Sequence, residues 1–254
     1  MDTPEIVKIT KIEKENTRVY TFFIDKKLKA EPGQFIMVWL PGIDEKPFSL
    51  SYIGKKTAFT FQEKGPFTKE LAKIKKGDKI GIRGPYGKGF RLKKISLIIG
   101  GGIGTAPLLP LIQSVDSDMI IGAKTKDELL FHNKAKNIRI TTDDGSLGFK
   151  GFTTELLKKK LKKKRYSVIY TCGPELMIKA VFDICEKNKI ECQASLERYM
   201  KCAIGICDQC SINHFRVCKE GPVFGSENLR KMTELGKFAR SKSGKIVTIN
   251  QYIK

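Results

Sequence analysis

Histidine is almost missing from this chain. His132 and His214 are the only two in 254 residues, and they stand far apart in sequence, so a Rieske-type centre with its two His ligands is set aside. Arginine is scarce too: nine of the 48 basic residues are Arg and the rest are Lys. Nucleic-acid sites lean on the planar Arg fork, so a formal net charge of +21 points to a solvated surface of the heat-adapted kind, with no nucleic acid as partner. The densest basic run, Lys158 to Arg165, has no aromatic residue within it and reads as a solvated helix face. The same charge can steer an acidic partner protein or a phosphorylated cofactor. No apolar export segment occurs between Met1 and Tyr20, where charges are spread throughout. A cytoplasmic protein is therefore expected, and its cysteines are read against a reducing compartment, where metal or catalytic use outranks disulfides. The one long uncharged stretch, Ile95 to Val115, holds four glycines and two prolines. It reads as strand, loop and helix, with no membrane span expected.

Cysteine, by contrast, is concentrated. Four of the seven fall in Cys202-Ala-Ile-Gly-Ile-Cys207-Asp-Gln-Cys210 and, after seven intervening residues, Cys218. A C-x4-C-x2-C run with a later fourth Cys is the plant-type ligand pattern of a 2Fe–2S cluster. Small residues in the loop let the backbone curl, so that amide N–H groups point at the sulfurs. A four-cysteine zinc site is the main alternative, although zinc favours C-x2-C pairs over a C-x4-C opening. Cys185 shares a helix stripe with Met177 and Val181 and reads as a core thiol.

Along the chain, the first ninety residues read as short strands: residues 6–12, 17–24, 34–40, 46–52, 58–62 and 79–83, with a short helix from Phe67 to Ile74. Period-two alternation and frequent turns predict a six-stranded antiparallel barrel. From Lys94 strands alternate with helices, which predicts a parallel sheet covered on both faces. Its expected strands are residues 95–99, 119–123, 138–142, 167–171 and 191–196, and its helices residues 105–115, 152–164 and 174–188. After Cys218, a charged helix over residues 228–240 and a terminal strand over 245–249 are expected. The expected division is residues 1–92, 93–196 and 197–254. No internal repeat or disordered tract is evident.

Gly100-Gly-Gly-Ile-Gly104 joins a hydrophobic strand to a helix, the arrangement that receives a pyrophosphate. Thr105 stands where a third motif glycine would fall, and a tight turn without a ligand is the plain alternative. Lys46-Pro-Phe-Ser49 and Gly65-Pro-Phe-Thr68 are weak signals singly: one reads as a barrel strand, the other as a capped helix start.

In combination they carry more. The order of barrel, K-P-F-S, G-P-F-T, Gly84-Pro-Tyr-Gly87, G-G-G-I-G-T-A-P and Thr171-Cys-Gly-Pro174 resembles the ferredoxin–NADP reductase superfamily over residues 1 to about 196. With the cysteine loop and Cys218-Lys-Glu-Gly-Pro-Val-Phe224, the whole chain is similar to the electron-transfer subunits of class B dihydroorotate dehydrogenase. The resemblance implies a flavin barrel, an NAD-binding α/β domain and a small C-terminal 2Fe–2S domain. Lys46, Pro47, Phe48 and Ser49 would meet FAD, and Gly65, Pro66 and Thr68 its pyrophosphate. Gly101, Gly102, Gly104 and Thr105 would take the phosphates of NAD(H), with Cys172, Gly173 and Pro174 beside the nicotinamide. Cys202, Cys207, Cys210 and Cys218 would bind the cluster. Two departures stand out: Lys46 replaces the family's Arg, a point charge in place of a planar fork, and the gap before Cys218 is short.

The resemblance further implies an oxidoreductase of pyrimidine biosynthesis. An FMN-containing catalytic subunit would oxidise dihydroorotate, in a heterotetramer with two copies of each chain. Electrons would then pass through the 2Fe–2S cluster and FAD to NAD. No acid–base residue is assigned here, because the dihydroorotate chemistry belongs to the partner. Similar subunits serve ferredoxin, sulfide and hydrogenase complexes, and a zinc-containing regulatory module is the reading from another class. Lys124 and Lys126, after the second strand of the α/β domain, stand where a 2′-phosphate would be read.

Overall fold

A computed structural model describes residues 3–135 and 137–253; Met1, Asp2, Lys136 and Lys254, which belong to the expected spans above, lie outside the described residues. Alternating apolar residues form β1 (Glu5–Lys14), β2 (Val19–Ile24), β3 (Phe35–Leu40), β4 (Asp44–Tyr52), β5 (Thr57–Gln62) and β6 (Lys79–Tyr86). They close antiparallel into a barrel in the order β1-β2-β5-β4-β3-β6, the six-stranded architecture read from the alternation. Its inward faces bury Ile9, Phe22, Ile36, Leu50, Phe59 and Phe61 almost completely, each contributing about 2–3 kcal/mol by removal from water. Phe22 meets Phe61 edge to face at 5.0 Å. The short helix is α1 (Pro66–Leu71), three residues shorter at its end than expected.

Beyond residue 95 the strands become apolar on both faces, as parallel strands covered by helices do. Into the second sheet go β7 (Ser96–Gly101), β8 (Ser117–Ala123), β9 (Ile138–Thr142), β10 (Phe149–Lys150), β11 (Val168–Cys172) and β12 (Glu191–Ser195). The helices with it are α2 (Leu109–Ser114), α3 (Thr153–Leu161) and α4 (Glu175–Lys187). After β12 the chain forms a small hairpin, β13 (Ser211–Ile212) with β14 (Phe215–Arg216), and then β15 (Val223–Gly225), which adds antiparallel to β12. The full order is β10-β9-β8-β7-β11-β12-β15. The chain direction of winding reverses between β7 and β11, which opens a crevice at their carboxyl ends.

Two expectations are corrected here. The helix expected over residues 105–115 begins instead as a 3-10 stretch, Gly102–Leu108, and turns α-helical only from Leu109. Pro107 and Pro110 have no amide proton to give, so a continuous i to i−4 ladder cannot form. The charged helix expected over 228–240 is only α5 (Ser226–Lys231). Gly236 then adopts φ +78, and the chain runs on as β16 (Phe238–Arg240), paired with β17 (Ile246–Thr248). The terminal strand expected over 245–249 is β17, and a short helix, α6 (Ile249–Ile253), follows it.

One core joins the α/β layer to the C-terminal segment: Ile178, Phe182, Ala194, Cys210, Ile212, Val217 and Phe224 share a buried cluster that also reaches Phe35 and Met37 of the barrel. The cysteine-bearing segment is thus built onto the other two parts and has no separate core. Cys185 and Cys192 lie fully buried in it. Among the described residues no helix is long and apolar enough to cross a membrane.

A half-exposed network closes the far end of the sheet. Asp118 accepts hydrogen bonds from Tyr166 Oη at 2.6 Å and from Lys164 Nζ at 3.0 Å, with Lys160 Nζ 3.2 Å away. Burial alone would raise its pKa, but these donors outweigh burial and hold the carboxyl at about 2. A depressed carboxylate stabilises the fold above its ordinary pKa, and that share fades as pH falls through about 4 towards 2. Asp118→Asn is therefore expected to lose about 1–2 kcal/mol at pH 7. Urea unfolding should show the gap from the unsubstituted chain closing below about pH 3; a gap independent of pH would contradict the assignment.

Candidate functional site: a nucleotide crevice, a barrel groove and a cysteine loop

The crevice between β7 and β11 is floored by glycine against glycine. A Cβ on Gly104 would lie 2.5 Å from Gly173 Cα and N and 2.8 Å from the Cys172 carbonyl carbon. A Cβ on Gly101 would meet Met177 Sδ at 2.7 Å and Pro174 Cδ at 2.9 Å. The two expected motifs, Gly101 to Thr105 and Cys172 to Pro174, therefore touch backbone to backbone. Gly102 is different: it adopts φ +52 with no atom within 4 Å of a built Cβ, so its outer side is open space. An open, side-chain-free backbone turn at the carboxyl end of a parallel sheet suits a phosphate. Thr105 does not reach this opening. It is fully buried, and its Oγ1 and that of Thr171 are buried without a hydrogen-bond partner among the described residues. Burial pushes the Cys172 thiol up to about 12, so it stays protonated at neutral pH.

The barrel groove runs along β4 towards α1. Phe48 packs against Phe59, Phe61 and Phe67 at 5.5–6.1 Å, and Pro47 and Ser49 are half-buried on the same strand. At α1, Thr68 Oγ1 accepts the amide protons of Lys64 (2.9 Å) and Gly65 (3.0 Å) and donates to Gly65 O (3.1 Å). The Thr68 hydroxyl is thus engaged in capping its own helix, whose first turn holds Pro66. Gly65 has no atom within 4 Å of a built Cβ, which leaves the approach to this turn clear. Lys46 Nζ pairs with the Asp44 carboxylate and lies 5.9 Å from the Phe67 ring centroid and 5.4 Å from that of Tyr199. β4 also packs against the 3-10 turn, so barrel groove and crevice adjoin.

In the cysteine loop, Ala203, Gly205 and Asp208 take left-handed φ values of +63, +82 and +57, which turn successive amides inward. Burial works to raise the Cys202 pKa, but the backbone amides of Cys207, Ile206 and Ile204 outweigh it and bring the thiol to about 6. The thiols fall into two pairs. Cys202 is hydrogen-bonded with Cys207. Cys210 takes a hydrogen bond from the Cys218 thiol, which lowers it to about 7, and a second from the Cys218 amide at 3.4 Å. The hydrogen bond to Cys210, together with burial, raises Cys218. Among the described residues, no group of three His, Cys, Asp or Glu could hold one metal ion. A mononuclear zinc site needs all four thiolates around one ion, whereas a two-iron cluster held by four cysteines accommodates two separate pairs. The donor set therefore fits the cluster. Cys207 is exposed, with Ile206 beside it 78% exposed, and an open cleft of about 650 Å³ separates Cys202 and Ile204 from Trp39, Ile43 and the Arg83–Glu45 pair on the barrel.

Sequence reasoning missed what ties the crevice to the segment that leads into the cysteine loop. Arg198, with a side chain 1% exposed, forms a two-pronged ion pair with Glu175 at the start of α4. It also donates to Glu197 O and Phe238 O. Glu175 in turn accepts the Gly236 amide at 2.7 Å. Only the position of Arg198, four residues before Cys202, hinted at this.

Barrel, switch-point crevice and appended cysteine loop together define the flavoprotein-reductase fold. The structure of the NADH-dependent reduced ferredoxin-NADP oxidoreductase superposes with TM-score 0.80 at 25% identity, over 92% of this chain and 95% of that one. Phthalate dioxygenase reductase does so with TM-score 0.60 at 18% identity, over 72% of this chain and 64% of that one. Residues 197–230 match the iron–sulfur cluster binding domain of dihydroorotate dehydrogenase B. A protein of Methanocaldococcus jannaschii described as a probable dihydroorotate dehydrogenase B (NAD(+)), electron transfer subunit, is 46% identical over 96% of this chain and 98% of its own length. One so described from Thermoplasma volcanium is 41% identical over 96% and 98%. The chain belongs to the family of dihydroorotate dehydrogenase B electron transfer subunits.

Proposed function

We propose that this chain holds FAD along β4 and α1, NAD(H) in the crevice between β7 and β11, and a 2Fe–2S cluster on Cys202, Cys207, Cys210 and Cys218. It serves a cytoplasmic, FMN-containing dihydroorotate-oxidising subunit, two copies of each, and the spans 1–92, 93–196 and 197–254 are its three working parts. The observation that carries the reading is the pairing of Cys202 with Cys207 and of Cys210 with Cys218 under inward-turned amides. When bound, a flavin exchanges a hydride for single electrons, which neither a nicotinamide nor an iron–sulfur cluster does alone.

The chain's own residues bind and orient. Lys46 supplies positive charge, and Gly65 leaves the start of α1 open to a phosphate. Gly102 leaves room for the nucleotide's phosphates, while the tight contact of Gly104 on Gly173 fixes the distance between the phosphate turn and the Cys172–Pro174 loop. The protonated Cys172 thiol adds no charge beside the nicotinamide. The exposed Ile206–Cys207 edge and the cleft beside it give the partner a face at the cluster.

Metal analysis of anaerobically purified protein tests this reading. About two irons and two acid-labile sulfides per chain are expected. One zinc per chain with no sulfide would overturn it.

A further inference from the structure

The C-terminal hairpin of β16 and β17 has no place in the reading so far, yet its turn reaches the barrel groove. The turn is closed by Ser241 N–H to Lys245 O at 2.8 Å and Gly244 N–H to Ser241 O at 2.9 Å, with Gly244 at φ +87. Its position is fixed from the cysteine loop. Gln209, only 7% exposed, donates from Nε2 to Ser241 O at 2.7 Å. From this turn Lys242 extends until its Nζ lies 6.0 Å from the Tyr199 ring centroid, the ring over which Lys46 Nζ lies at 5.4 Å. Two ammonium groups from distant parts of the chain therefore converge on one aromatic ring, next to Phe67 in the first turn of α1. The Asp44 carboxylate sits with them. Burial would raise its pKa, but Lys46, the Glu45 amide and Lys242 together keep it below the ordinary carboxylate value. Two positive charges against this one carboxylate leave an excess at a turn whose approach is open at Gly65.

We propose that Lys242 is a second cation of the flavin-phosphate site, acting with Lys46 on the pyrophosphate of the dinucleotide. A lysine is a point charge, and one alone cannot grip two phosphates as a planar fork does. Two lysines brought to one place from distant parts of the chain can, each forming charge-assisted hydrogen bonds. The aromatic ring they share lowers the cost of holding the like charges close. Because the turn hangs from Gln209, between Cys207 and Cys210, the same contact ties the cysteine loop to the rim of the flavin groove.

This inference rests on the placement of FAD along β4 and α1, and the test separates the two. Full-length protein stripped of flavin is titrated with FAD and, in parallel, with riboflavin, which lacks phosphate; binding is followed by flavin fluorescence. Lys242→Gln is expected to weaken FAD about tenfold, the worth of roughly one charge-assisted contact, with riboflavin affinity unchanged. The fall of FAD affinity with salt should become shallower than in the unsubstituted chain. Lys242→Arg should retain most of the affinity. Equal FAD affinity in Lys242→Gln, or an equal loss for riboflavin, overturns the role of Lys242 alone. An unsubstituted chain that takes up no FAD overturns the flavin placement and this inference with it.

Discussion

Cys207→Ser is expected to slow electron transfer to the catalytic subunit at least about 100-fold, because even the loss of a partner that orients a metal ligand reaches that scale. NADH-driven reduction of the bound flavin should stay within about twofold. The split follows from position. Cys207 is exposed at the outer edge of its loop, so a hydroxyl there disturbs no core contact. The Cys202 sulfur keeps its amide donors from Ile204, Ile206 and residue 207, since those come from the backbone. The glycine-floored crevice and the β4 groove lie in other elements and keep their shape. Anaerobic stopped-flow absorbance resolves the two steps, and the visible iron–sulfur bands report the cluster. If NADH–dye activity falls as far as transfer to the partner while FAD is retained, the cysteine loop does more than deliver electrons at the exit.

Glu175→Gln is expected to lower the thermal midpoint by roughly 6–20 °C. Arg198 has its side chain 1% exposed, with Nε lacking a hydrogen-bond partner among the described residues, so removing the carboxylate leaves a buried, uncompensated cation. Breaking such a pair from one side costs about 3–5 kcal/mol, and each kcal/mol is worth about 2–4 °C in a chain of this size. The Gln amide oxygen can still accept from the Gly236 amide, so the loss is that of the charge facing Arg198. The damage should extend to the crevice, because α4 begins at Glu175 directly after Pro174, and KM for NADH should rise. Replacing the pair together by Met and Leu should recover most of the midpoint, since the cost lies in the orphaned charge. Calorimetry that finds Glu175→Gln within 2 °C of the unsubstituted chain would mean that water already reaches Arg198.

The barrel was legible because short apolar runs bounded by turns are a local signal: β2, β3 and β5 are buried along nearly their whole length. The parallel sheet was legible from its alternation with helices. The cysteine spacing is likewise local and marks the loop in the sequence alone. What was not legible depends on contacts between distant residues or on the absence of a donor. Pro107 and Pro110 fall inside the span expected to be one helix and interrupt its ladder. Gly236 marked a break inside the charged segment expected to be one helix, and at φ +78 it is where that segment turns. Thr105 was expected at the phosphates, but neighbouring elements cover it completely. Glu175 and Arg198, 23 residues apart, leave no periodic trace, and neither does the convergence of Lys46 and Lys242 on Tyr199.

The central claim is that this chain carries electrons between a partner's oxidation of dihydroorotate and a nicotinamide. Anaerobic co-expression with the catalytic subunit, followed by an assay of dihydroorotate-dependent NAD+ reduction at 340 nm, tests it directly. The account predicts NADH formation that requires both chains and is lost when Cys207 is Ser. NADH formation by the catalytic subunit alone, or a complex that oxidises dihydroorotate yet never reduces NAD+, would contradict it.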